Sequence, residues 1–138
     1  MTRYINGPFA ATLEHATVEK VVSLYAPGND ILVAEFGTIY AGRDAITQGV
    51  RQEFPPGTTV HSSISSPHVA VLSRDAVVVT GMVDATFKDS AGVETPMRFA
   101  WTGVFVRVGA EWKLQVEHAS LPPAPAAPTK PAGAAKKH

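Results

Sequence analysis

Glu35 stands between Ala34 and Phe36, at the end of an apolar run that begins at Ile31. A carboxylate carried into an apolar interior loses its hydration, its pKa rises, and it becomes a usable general base near neutral pH. The competing expectation is a strand end at which Glu35 is solvated or paired with Arg43. His118 alternates with Trp112, Leu114 and Val116, which predicts an apolar strand face. Two roles stay open for it there: a core histidine satisfied by local hydrogen bonds, or an acid/base or recognition group in a pocket. Trp101 and Phe105 flank Gly103, where side-chain volume is missing. Large rings beside a gap describe a ligand slot, and a packed core makes the same pattern. Asp84 and Arg98 are mid-strand charges. They are expected either to line the pocket or to pair with each other on the open sheet face or at a subunit interface.

Other chemistries find no support. His15, His61, His68 and His118 show no HxH or HExxH spacing, so no metal site is expected. There is no G-x-S-x-G, G-x-G-x-x-G or Walker A pattern, hence no case for a serine hydrolase or a nucleotide-dependent enzyme, and no cofactor is expected. The absence of cysteine excludes disulfides, thiolate zinc sites, iron–sulfur clusters and a thiol nucleophile. The formal charge is zero, from 12 Lys and Arg against 12 Asp and Glu, but it is unevenly spread. The body to Ser120 carries 9 basic and 12 acidic residues, unlike the clustered basic face that nucleic-acid binding requires. No apolar run approaches the roughly 20 residues that span a bilayer, and the residues after Arg3 lack the continuous apolar core of a secretory leader. The expectation is a protein of the cytoplasm with neither nucleic-acid nor membrane partners.

The elements that must position these residues follow from periodicity. Phe9 and Leu13 are four apart, and Val18, Val21, Val22 and Tyr25 share one helical face, which predicts two short helices meeting at His15–Ala16 with Thr17 as N-cap. Ile31 to Phe36 reads as a short strand and Gly37 to Gly42 as a turn. A third helix carries Ile46, Val50 and Phe54 on one stripe and ends at Pro55-Pro56-Gly57. Four long strands follow, over 60–72, 76–88, 94–108 and 111–120, parted by turns too short for parallel crossovers. The fold class is α+β: a cone-shaped, curved antiparallel sheet with three N-terminal helices packed on its concave face, in the order ααβαββββ. Residues 1–121 form the domain, and 122–138 a disordered Pro/Ala-rich tail that cannot bury enough apolar surface to order itself. Phe99, Trp101, Gly103 and Phe105 take one face of their strand, and the opposite face, with Ala100, Val104 and Val106, is also apolar. The strand before it is expected to add Val77, Val79, Val83 and Phe87 to that second face. A sheet apolar on both faces needs two covers, so a homodimer is expected.

The segment from Phe9 to Ala26, the Ala41-Gly42-Arg43-Asp44-Ala45-Ile46 turn, and Arg107 to Lys113 followed by Glu117-His118-Ala119-Ser120-Leu121-Pro122 resemble the nuclear transport factor 2-like superfamily. Within it they are most similar to the SnoaL-like group and the calcium/calmodulin-dependent kinase II association domain, which end in a Trp-containing strand and a His-x-Ser-x-Pro type sequence. The resemblance implies the cone fold over residues 4–122. The superfamily includes ketosteroid isomerase, polyketide cyclases, dehydratases, hydrolases and non-catalytic scaffolds, so it leaves the function open. On the isomerase pattern the base falls approximately on Glu35, but the two oxyanion donors fall on Phe9 and Gly103, neither of which has a donor. Steroid isomerase chemistry is therefore not expected.

Two readings result. In the first, the cone binds a small, largely apolar molecule without catalysis, in a pocket walled by Tyr25, Phe54, Phe99, Trp101, Gly103 and Phe105. In the second, Glu35 is the base, and His118 the partner acid or orienter, of a proton-transfer enzyme (isomerase, cyclase or dehydratase type) acting on a small carbonyl or polyketide-like substrate.

Overall fold

The computed structural model describes residues 1–129. The first helix, α1, runs through three contiguous pieces, Thr2–Tyr4, a π-helical stretch Ile5–Phe9, and Ala10–Glu14. The widened turn contains Pro8, which has no N–H to donate and whose ring would crowd a regular α-turn. The chain breaks at His15, and Thr17 caps α2 (Val18–Val22) by accepting from the Lys20 N–H at 3.2 Å. Strand β1 (Leu32–Glu35) is followed by β2 (Thr38–Ala41), helix α3 (Arg43–Glu53), and the long strands β3 (Thr59–Ser73), β4 (Ala76–Lys88), β5 (Glu94–Val108) and β6 (Glu111–Ser120). Together they form a curved six-stranded sheet in the order β2-β1-β6-β5-β4-β3.

The expected turn over 37–42 is in fact strand β2. Phe36 and Gly37 both take positive φ, 48° and 87°, which makes the two-residue hairpin that lets β2 fold back on β1. The sheet is also not wholly antiparallel, because β1 pairs parallel with β6.

The inner face rests on Phe105, Ile31, Leu114 and Val79, with Ile46 and Val50 of α3 packed over it. Helix α3 lies close on β2: a Cβ at Gly49 would come within 2.9 Å of the Tyr40 ring. Asn6 ties α1 to β3, accepting from the Ile64 N–H at 2.9 Å and donating to its carbonyl at 3.4 Å.

Two expectations about strand faces are corrected by register. Val77, Val79 and Val83 pair with Phe105, Gly103 and Phe99, so they share the inner face and do not belong to the outer one. The outer face is more mixed than expected. It carries Val78, Met82, Val104 and Val106, but also the Arg98–Asp84 ion pair at 3.2 Å and a hydroxyl pair, Thr102 to Thr80, at 2.9 Å. The second correction lies in β6. Val104 pairs with Val116 but Phe105 pairs with Leu114, so Gln115 is an extra residue, a β-bulge. Past that point the alternation is inverted: Glu117 and Ala119 face inward with Leu114, and His118 faces out.

Residues 121–129 are exposed and hold neither helix nor strand. The rest of the expected tail, 130–138, lies outside the described residues. No helix among the described residues is long and apolar enough to cross a membrane.

Candidate functional site

The bulge at Gln115 brings Glu117 into the cone opposite Gly103, its cross-strand partner. The missing side chain at 103 is what admits the Trp101 ring: a Cβ there would lie 2.5 and 2.7 Å from its Cη2 and Cζ2 atoms and 3.0 Å from Leu114 Cδ2. The gap beside Gly103 is thus filled by its neighbour and is not a ligand slot. So placed, Trp101 donates its indole N–H to Glu117 Oε1 at 2.7 Å, and the Tyr25 hydroxyl donates to Oε2 of the same carboxyl. Tyr25 is held there because its backbone bridges to Leu114, with Ala26 N–H to Leu114 O at 2.7 Å and Leu114 N–H to Leu24 O at 2.8 Å.

In front of this triad lies a cavity of about 110 Å³, open at one end, between α1, α2, α3 and the sheet. Its volume is of the order of the roughly 150 Å³ apolar hole that accepts a benzene ring, far below what a steroid fills. Tyr25, Phe54, Phe99 and Trp101 line it as expected, and so does Glu35. Phe105 does not: it is fully buried behind Trp101, with ring centroids 6.1 Å apart. His118 faces away from the cavity on an exposed strand position, so it cannot serve there as an acid.

Two carboxyl groups escape a reading based on strand alternation. Glu117 was hidden by the bulge. Glu53 was legible, because it sits seven residues after Ile46 and three after Val50, on the same helical stripe. Glu35, Glu53 and Glu117 all line the cavity, and the charge of Glu117 raises the pKa of the other two. Burial, then the Glu117 charge, pushes Glu35 up to about 7. Burial, then Glu35 and Glu117, pushes Glu53 up to about 8. Burial raises Glu117 as well, while the hydrogen bonds from Tyr25 and Trp101 pull it back toward the ionised form. Among the described residues no group of three His, Asp or Glu is arranged to hold a metal ion.

Phe36 closes the rim. Its backbone is left-handed, φ 48°, a conformation that costs a bulky residue roughly 1 kcal/mol or more. Its ring is held edge-on to Phe99, with centroids 5.6 Å apart, at the cavity mouth.

A family model of the SnoaL-like domain matches residues 3–125. The chain belongs to the SnoaL-like family. The SnoaL-like domain is similar in fold to a candidate calcium/calmodulin-dependent protein kinase II association domain from Xanthomonas campestris, with 21% identity over 88% of this chain and 85% of that one and a TM-score of 0.76. A candidate dehydratase of the nuclear transport factor 2-like family from Streptomyces avermitilis gives 20% identity, coverages of 84% and 90%, and a TM-score of 0.70. The association domain of the Caenorhabditis elegans kinase gives 17% identity, coverages of 84% and 89%, and a TM-score of 0.65. At these identities the likeness is one of fold. None of the curated proteins matches the sequence.

Two predictions follow for the SnoaL-like domain. Glu117→Ala leaves the Tyr25 hydroxyl and the Trp101 N–H without an acceptor, and an unsatisfied buried donor costs ~1–3 kcal/mol. Chemical denaturation should show a loss of about 2 kcal/mol or more. Glu117→Gln, whose amide oxygen accepts from Trp101 and whose NH2 donates to the Tyr25 oxygen, should lose much less. The second concerns pH. Glu35 and Glu53 hold their protons more tightly folded than unfolded, so the folded chain carries more protons from their ordinary value of 4.5 up to about 8. Stability should therefore be greatest below that window, fall as pH rises through it, and level off above. Thermal midpoints across the range check this, and Glu53→Gln should flatten the slope.

Proposed function

We propose that the protein binds a small, largely apolar molecule, about one ring in size, in the cavity of the cone. The observation that carries this reading is a small open cavity with mainly aromatic and aliphatic walls, whose charged groups are Glu35, Glu53 and Glu117 alone. The folded unit is residues 1–121, with 122–138 as an appendage.

Proton transfer by Glu35 is the second reading, and its raised pKa, about 7, favours it. A group poised there can both take and return a proton at neutral pH. The acid once expected of His118 passes to Glu53, which stays protonated to about pH 8. Binding is tested by titrating toluene and cyclohexanone while following Trp101 fluorescence in a Trp112→Phe background. A saturable change is expected, and it should vanish in Ser62→Phe, whose ring enters the cavity. No saturable change would refute the binding reading. Glu35 chemistry is tested with cyclohexanone in D2O, following loss of its α-proton signals by NMR. Exchange that Glu35→Gln stops supports an enzyme; no exchange above buffer leaves binding alone.

The protein is also proposed to form a homodimer through the outer sheet face. Val78, Met82, Val104 and Val106 supply apolar surface there, and Arg98–Asp84 and Thr102–Thr80 supply polar pairs suited to a half-wet interface. Sedimentation at micromolar concentration should give twice the chain mass, and Val104→Lys should halve it. A monomer throughout a dilution series would refute the dimer.

A further inference from the structure

The cavity's hydrogen-bonding groups are unequally spent. Its fixed donors are already engaged: the Tyr25 hydroxyl and the Trp101 N–H both go to Glu117, and the Asn6 amide goes to the Ile64 backbone. The Glu35 and Glu53 carboxyls make no hydrogen bond among the described residues, so each offers a free acceptor oxygen while it keeps its proton and two once the proton leaves. The hydroxyls of Tyr40, Ser62 and Ser63 can serve either way. No Lys, Arg or His lines the cavity, while the rings of Phe36, Phe54, Phe87, Phe99 and Trp101 do. An entering molecule therefore meets spare acceptors, aromatic faces and no positive charge. A carboxylate, phosphate or sulfate ligand would find nothing to neutralise it, and a neutral hydrocarbon would bind more weakly than an amine because it leaves both carboxyls without a partner. A protonated amine satisfies all three conditions, because it brings N–H donors, a countercharge for crowded carboxylates, and a cation that aromatic faces attract.

Building on the binding reading, we infer that the cavity selects small apolar amines: one ring or its equivalent bearing an ammonium group, seated between Glu35 and Glu53. The ammonium takes the place of protons that the carboxyls otherwise hold, so binding releases protons to solvent. The titratable groups facing the cavity are Glu35, Glu53, Glu117, Tyr25 and Tyr40. Glu117 is already occupied by its two donors, which leaves Glu35 and Glu53 as the groups that exchange proton for ligand.

The test is isothermal titration calorimetry at pH 7.5 with benzylamine, benzyl alcohol and benzoate, in two buffers of different ionisation enthalpy. Benzylamine should bind at least tenfold more tightly than benzyl alcohol, benzoate should not bind, and the buffer difference should report proton release with the amine alone. The amine's affinity should fall as pH drops from 8 to 5.5, and Glu35→Gln and Glu53→Gln should each narrow the gap between amine and alcohol. Alcohol binding as tight as the amine's, or any preference for benzoate, overturns the inference and leaves the binding reading in place. Binding of none of the three overturns both.

Discussion

One extra residue in the last strand governs what enters the cone. Without the bulge, with Gln115 paired in regular register, strict alternation from Leu114 would send Val116 and His118 inward and Glu117 to the outer face. With it, Glu117 arrives opposite the one position of β5 that has no side chain, and the Trp101 ring lies over that glycine with its N–H on the carboxyl. Tyr25 closes the arrangement from the segment before β1, which is itself strapped to β6 at Leu114. The buried carboxyl, its two donors and the glycine form a single unit. Losing the bulge would orphan two donors and empty the position that the ring now fills.

That unit also sets the electrostatics of the cavity. Glu117 is stabilised by two hydrogen bonds and so remains the member of the trio most able to carry charge. Its charge then discourages ionisation of Glu35 and Glu53, which have desolvation and no donors. Three carboxyls in one small space thereby acquire different roles, with no change of residue type. The apolar walls matter as much, because they withhold the water that would otherwise screen the trio.

Of the two described non-glycine residues with positive φ, Phe36 and Ser66, the first adjoins the same place. Phe36 occupies a backbone conformation that Asn or Gly would adopt more easily, and Gly37 beside it completes the hairpin that creates β2. The bulky residue keeps its ring on Phe99 at the cavity rim, one position from Glu35.

The sequence by itself determined the element types and their order, apart from β2, because helix stripes such as Ile46–Val50 and long alternating strands are local patterns that a single core must bury. It determined that Tyr25, Phe54, Phe99 and Trp101 would face inward, since each lies on such a pattern without interruption, and it left Glu35 open between the interior and a solvated strand end. Glu53 was written on the stripe of α3 and could have been read there. Only the tertiary structure decided the fate of His118, Glu117, Gly103 and Phe105. A bulge is a property of two paired strands, and nothing within Glu111–Ser120 marks Gln115 as the unpaired residue. Whether a glycine leaves a hole or receives a neighbour's ring likewise depends on how Trp101 packs across the strand. The same holds for the faces of Val77, Val79 and Val83, since alternation within a strand says which residues go together, and only the register with β5 says on which side.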